Sequence, residues 1–346
     1  MFIPKLDGHT IFIKVKDRRT VMRVRLGYVA ISNVLGKKIT SSSTVTFANY
    51  NKILSEEKKL EKLQVVGLSN LKALEEILRY NIKNNIHFYR ITSALMPLVT
   101  HPDVGYWGHR ELFKKDFEYI GKLIKDADMR VDTHPDEFNV INSNNPKVVE
   151  NTLINLARQE EWFEDMAYKE GKMVLHVGGA TGGKEAALER FASNFNKFPK
   201  KIKERLILEN DDKTYTAKET LDLCKSLNIP MVLDIHHHNC NNNGENIEDM
   251  LEDILNTWRN ETLPPKMHFS SPKNDNLEGR VDRKHADFIN PYDFIFFIEI
   301  LKNFHKDVDI MLECKEKDVA LFKLANDIKE IKPQYHWEDE TTFIVE

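Results

Sequence analysis

The sequence predicts an α/β fold, a single-domain TIM (β/α)8 barrel. Three observations predict it. Eight short apolar runs, rich in β-branched residues, alternate with helix-period stretches. Eight is the number of parallel strands that closes such a barrel. No linker, internal repeat or change of composition divides residues 22–346, and residues 1–21 precede the first run as an appended segment. Eight βα units would also permit a doubly wound open sheet.

The first two runs are 24–31 (VRLGYVAI) and 88–92 (FYRIT). Between them, 70–85 places Leu71, Leu74, Ile77, Leu78 and Ile82 on one helical stripe. A second stripe in 112–126, formed by Phe113, Phe117, Ile120 and Ile124, leads to the third run, 130–134 (RVDTH). The fourth and fifth runs are 172–178 (KMVLHVG) and 205–210 (RLILEN). Thr216, three residues before Glu219, has capping-box spacing and predicts a helix start there. The last three runs are 231–237 (MVLDIHH), 266–271 (KMHFSS) and 309–315 (DIMLECK). The first βα connection is long and polar, as functional loops commonly are.

Composition excludes several classes. With 346 residues and 41% hydrophobic content the chain can bury a large core, and no apolar run reaches the ~20 residues of a membrane span. The start has no basic n-region followed by an apolar h-region. Cys224, Cys240 and Cys314 are odd in number and form no CxxC, so a reducing, cytoplasmic setting is expected. The net charge of −4 excludes a histone-like wrapper of nucleic acid. It does not exclude a nuclease, because bound cations would change the sum.

In parallel α/β folds the chemistry sits at the C-terminal strand ends. Six of the thirteen histidines (His134, His176, His236, His237, His238 and His268) fall at or just beyond such ends, which decides against random placement. Glu209, Asp234 and Glu313 end apolar strands, where an ionised carboxylate needs a cation, a salt bridge or a proton. Barrel closure brings all these tips to one axis. A cluster of divalent ions satisfies them together, and imidazole with carboxylate suits zinc, manganese or iron better than magnesium or calcium.

The motifs RLGY (25–28), THPDEF (133–138), LHVGG (175–179), LEND (208–211), LDIHHH (233–238), KMHFSS (266–271), HADFI (285–289) and LECKEK (312–317) fall in this order, most of them on successive strands. Together they resemble the UV damage endonuclease family, relatives of the endonuclease IV apurinic endonucleases, over roughly residues 22–320. The resemblance implies a TIM barrel with three divalent metal ions, manganese (Mn2+) foremost and zinc, magnesium or cobalt as alternatives. It implies a monomer that nicks damaged double-stranded DNA immediately 5′ to UV photoproducts, and at abasic sites, leaving a 3′-hydroxyl and a 5′-phosphate.

Carried over by residue, Glu209 resembles the carboxylate bridging two ions and His134 and His176 resemble further ligands of one. Asp234, His268 and Glu313 resemble ligands of the other, and His237 and His285 would hold the third ion. His101 matches a family histidine near the metals, and Lys266 a lysine that can be carboxylated. Tyr28 and Asn33 match residues lining the lesion site. Where the family carries Gln and an aromatic residue as a probe of unstacked bases, this chain has Glu137 and Phe138. Phe138 can still wedge into a base step, whereas Glu137 brings negative charge towards DNA.

Two rivals share the barrel: a sugar isomerase or epimerase, and a non-catalytic damage-binding barrel. The pair His237 and His285 and the long polar first loop argue against the enclosed pocket of the first. A complete ligand set argues against the second.

Overall fold

The computed structural model describes residues 21–274 and 280–346, so all but the last residue of the appended segment lies outside the described residues. The eight expected strands form: β1 (Met22–Val29), β2 (Phe88–Ile91), β3 (Arg130–Thr133), β4 (Lys172–His176), β5 (Leu206–Glu209), β6 (Met231–Asp234), β7 (Lys266–Phe269) and β8 (Val308–Leu312). Each pairs in parallel with the next, and Tyr28 and Val29 of β1 pair with Tyr89 and Arg90 of β2 to close the barrel. This excludes the open doubly wound sheet.

Helices pack outside the strands. The stripe of Phe113, Phe117, Ile120 and Ile124 is buried, as are Leu71, Leu74, Ile77 and Leu78, whereas Ile82 faces solvent. The helix carrying the latter set is longer than the stripe, Glu56–Lys83, and starts at the Ser55 cap. The capping box at Thr216 and Glu219 forms and opens the helix Ala217–Leu227. Among the described residues no helix is long and apolar enough to cross a membrane.

Two elements differ from the sequence reading. The sixth strand ends at Asp234, not at residue 237, and Ile235–Cys240 is helical. The Asp234 side chain accepts from the His237 backbone N–H and caps that helix, a local bond that outcompetes the strand ladder. At the far end, β9 (His336–Trp337) and β10 (Thr342–Val345) were not anticipated. β10 pairs antiparallel with the first half of β1, from Met22↔Val345 to Arg25↔Thr342, a stretch that β2 does not reach.

Alternate strand residues face the barrel axis, and here many are charged. On the floor, the Asp309 carboxylate accepts from Arg25 at 2.6 and 2.7 Å and from Arg130 at 2.8 Å. The Arg130 guanidinium lies between the Phe88 and Trp258 rings, 5.2 and 5.1 Å from their centroids. Gly27 makes room for this stack, because a Cβ there would stand 2.5 Å from the Phe88 carbonyl oxygen and 2.6 Å from its ring. Gly27→Ala should therefore lower the melting temperature by several degrees, as overpacking of a core does. An unchanged thermal transition would show that Phe88 can retreat.

Candidate metal centre

The centre forms at the strand ends because six neighbouring strands, β3 to β8, place an inward-pointing polar residue (His134, His176, Glu209, Asp234, His268 and Glu313) at their last residue or one residue to either side of it. Glu209 ends β5 and is 1% exposed. One carboxylate oxygen, Oε2, lies 3.0 Å from His134 Nε2 and 3.9 Å from His176 Nε2. The other, Oε1, lies 2.8 Å from His268 Nδ1 and 3.4 Å from His237 Nδ1. Glu209 thus faces two imidazoles on each side, the geometry of a shared carboxylate.

Among the described residues, three sets of potential ligand atoms form, the atoms of each set lying within 4.8 Å of one another: His134, His176 and Glu209; Glu209, Asp234 and His237; Glu209, His268 and Glu313. All contain Glu209. Asp234 is expected with His268 and Glu313, and His237 with His285. Asp234 Oδ2 lies 3.9 Å from His268 Nδ1 and 3.8 Å from His237 Nδ1, because the short helix after β6 folds His237 back over its own cap, so Asp234 faces both.

Asp234 Oδ2 and Glu313 Oε1 are buried and accept no aligned hydrogen bond, although Arg90 Nη1 lies 2.7 Å from the latter. Carboxylate oxygens left in this way in a nest of imidazoles fit a divalent cation. The electrostatics agree. Burial opposes ionisation of Glu209, yet His268, His176 and the hydrogen bond from His134 hold it well below the usual carboxylate range. Burial disfavours the charged form of His237, but Asp234, Glu209 and Glu313 raise it to about 9. The pocket draws in positive charge, as a proton where nothing else supplies it.

The remaining expected residues fall around this core. The His285 ring lies 5.3 Å from that of His236 and 6.3 Å from that of His237, outside the three ligand sets. His101 stacks on Phe47 with centroids 4.0 Å apart, and its Nδ1 accepts from the Asp103 N–H. His236 is buried with Nε2 against the Arg283 carbonyl, turned away from Glu209. Lys266 is fully buried, so it does not reach solvent; its Nζ donates to Asp132 Oδ2 at 2.6 Å. Burial brings its pKa down to about 8, with Asp132 opposing and Arg90 and Arg130 assisting.

On the rim, Phe138 is 76% exposed and Glu137 is exposed beside it, on the loop leaving β3. Asn33 is exposed, and its amide donates to the Lys315 carbonyl and to Glu316. The buried Asp318 fixes this loop by accepting from the Ser32 hydroxyl and the Asn33 backbone N–H. Tyr28, expected to line the lesion site, is fully buried, with its hydroxyl donating to Asn81 and its ring edge-on to Tyr89. A side chain without exposed surface cannot touch a base in this arrangement, and Tyr28 packs the wall beneath the rim.

Sequence reasoning missed Arg90 and Asp132. Arg90 Nη2 lies 2.7 Å from His268 Nε2 and its Nη1 2.7 Å from Glu313 Oε1. Asp132 holds Lys266 and stands 3.8 Å from Arg90 Nε. The signal was available, since Asp132 lies two residues before His134 and Arg90 sits in the otherwise apolar run 88–92.

Comparison with known proteins follows the same lines. The family model described as UV-endonuclease UvdE matches residues 24–338. A protein of Bacillus pumilus (strain SAFR-032) named UV DNA damage endonuclease is 40% identical over 313 residues, covering 90% of this chain and 96% of that one. The solved structure of SacUVDE is 33% identical with a TM-score of 0.78, covering 89% of this chain and 99% of that one. Endonuclease IV from Thermus thermophilus shares the fold, with a TM-score of 0.53 at 14% identity over 88% of this chain and 99% of that one. A barrel whose strand ends converge on one shared glutamate, matched over nearly its whole length at this identity, places the chain in the UV-endonuclease UvdE family.

Proposed function

We propose that this protein is a metal-dependent DNA repair endonuclease. It nicks duplex DNA immediately 5′ to UV photoproducts, and at abasic sites, leaving a 3′-hydroxyl and a 5′-phosphate. It works as a cytoplasmic monomer. The observation that carries this reading is Glu209 shared among three ligand sets at the mouth of the barrel. The family membership supplies the substrate class.

Glu209 would bridge, with His134 and His176 on one side and His268, Glu313 and Asp234 on the other. His237 would ligate from Asp234's helix, and His285 would join it from the loop after β7. Divalent ions held there, manganese foremost, supply positive charge against phosphate oxygens and acidify water towards neutral pH. The protein's own part is positional. Glu209 and Glu313, both held below the usual carboxylate range, stay ionised among imidazoles and draw the ions in. His101 lies on the loop after β2, where it would meet the DNA backbone near the centre. Lys266 would reinforce the centre as its carboxylated form. Lys37, Lys38, Lys273 and Lys284 are exposed at the strand-end face and would contact phosphates, whereas Arg110 is held by Asp165 and Lys184 by Glu219. Asn33, Glu137 and Phe138 would meet the lesion, with Tyr28 supporting the wall below.

The test is incubation with Mn2+ and a UV-irradiated duplex oligonucleotide. The expected result is a single nick whose 3′ end a polymerase extends and whose 5′ end a ligase accepts. Elemental analysis after dialysis should find three divalent ions per chain. Fewer than two would overturn the shared-carboxylate centre.

Phe138 separates recognition from chemistry. Base–aromatic stacking contributes ~1–3 kcal/mol per base. Phe138→Ala should therefore weaken binding to a photoproduct duplex by roughly five- to 150-fold. Metal content and binding to undamaged duplex should stay the same. Titration of both duplexes at one salt concentration decides, and an equal loss on both would make Phe138 a general contact only.

A further inference from the structure

Arg90 touches the centre in a way that conflicts with the ligand role of His268, and this inference rests on the metal-centre reading above. A guanidinium carries donors only. Its Nη2 lies 2.7 Å from His268 Nε2, so in this arrangement Nε2 is the lone-pair nitrogen. The ring proton is then on Nδ1, which donates to Glu209 at 2.8 Å. No lone pair of His268 is left for an ion.

A ligating histidine is a neutral imidazole with its lone pair on the metal and its other N–H given to an acceptor. Nδ1 is the nitrogen that faces Glu209 and Glu313. If Nδ1 ligates, Nε2 carries the proton and meets Arg90 donor against donor. Turning the ring over places carbon against both Arg90 and Glu209 and resolves nothing. Binding of an ion by His268 and the Arg90–His268 contact exclude each other.

The structure also offers Arg90 a second partner. Arg90 Nε and Asp132 Oδ1 are both buried and both without a hydrogen bond. They stand 3.8 Å apart, and an approach of about 1 Å would bring them within hydrogen-bond range. Glu313 Oε1 lies 2.7 Å from Arg90 Nη1 without hydrogen-bond alignment, so its lone pair remains available to an ion while its charge is balanced.

We propose that Arg90 is a positioning residue that moves between two partners: it holds His268 in its non-ligating arrangement and transfers to Asp132 when His268 and Glu313 take up a divalent ion. Arg90 thereby competes with the ion for His268, and Asp132 lowers the cost of giving way.

The test is a double-mutant cycle with Mn2+ affinity as its readout, measured from free Mn2+ by electron paramagnetic resonance. Asp132→Asn should weaken the binding of one Mn2+ equivalent about tenfold while Arg90 is present, the scale seen when a partner behind a ligand is lost. In the Arg90→Gln background the same change should have less than about a twofold effect, because no guanidinium needs a second partner. Melting in chelator shows whether each variant is folded. If Asp132→Asn does not fold, crystal structures of the unmutated protein with and without Mn2+ decide: the Mn2+ form should show Arg90 Nε bonded to Asp132 and Nη2 withdrawn from His268. An equal loss in both backgrounds, or an unchanged Arg90–His268 contact with Mn2+ bound, overturns this inference alone. Absence of Mn2+ binding by the unmutated protein overturns the metal-centre reading as well.

Discussion

Glu209→Gln should reduce nicking of UV-irradiated duplex by on the order of 10³-fold, the scale of removing one group that stabilises developing charge at a reaction centre. The substitution keeps the shape of the side chain and removes its charge. All three ligand sets contain this residue, so no other single change reaches as much of the centre. Its two oxygens face His134 and His176 on one side and His268 and His237 on the other, and a neutral amide offers one oxygen where two are used. Metal content should fall from three ions per chain to one or none. The fold should persist in chelator, since an amide is cheaper to bury than a carboxylate. Near-normal nicking by this variant, measured alongside elemental analysis, would remove Glu209 from the role of bridge.

Asp309→Asn should destabilise the barrel by about 3–5 kcal/mol, the cost of breaking a buried ion pair and leaving a buried charge uncompensated. Two guanidinium groups, Arg25 and Arg130, share this one carboxylate on the floor, and Arg130 is 2% exposed. Burial alone would raise the Asp309 pKa, but Arg25 and then Arg130 hold it below the ordinary aspartate range. Its contribution is therefore complete above the unfolded-state value near 3.9 and is lost as pH falls through the depressed folded value. Urea unfolding at pH 7 should show the loss as a lower midpoint with the slope unchanged. Below about pH 4 the difference between variant and parent should narrow as the parent carboxylate takes a proton. A midpoint at pH 7 equal to that of the parent would mean that water reaches the arginines.

The strands were legible because each is a short apolar run, and the centre because carboxylates and imidazoles are costly at the ends of such runs. Glu209 after Leu206, Ile207 and Leu208 is the clearest case. The helix after Asp234 was not legible, since IHH continues a plausible strand and only the bond from Asp234 to the His237 N–H ends it. Arg90 and Asp132 stand in the strand runs as charged residues in step with the inward face, but the runs alone do not show that they sit opposite each other in the β2–β3 register. Tyr28 and His101 sat in recognisable motifs, but a motif fixes identity and not exposure. One is buried against Asn81 and the other is stacked on Phe47.

The antiparallel pairing of β10 with β1 bears on how the chain is made. Translation runs from the N-terminus, so β1 is synthesised first and its partner residues Thr342–Val345 come after all the other barrel strands. Every ligand of the centre has left the ribosome before the lower edge of β1 can be covered. Until then that edge presents unpaired backbone groups to any neighbouring nascent chain. A chain lacking Thr342–Val345 would thus keep every ligand of the centre and carry an adhesive seam along the first half of β1.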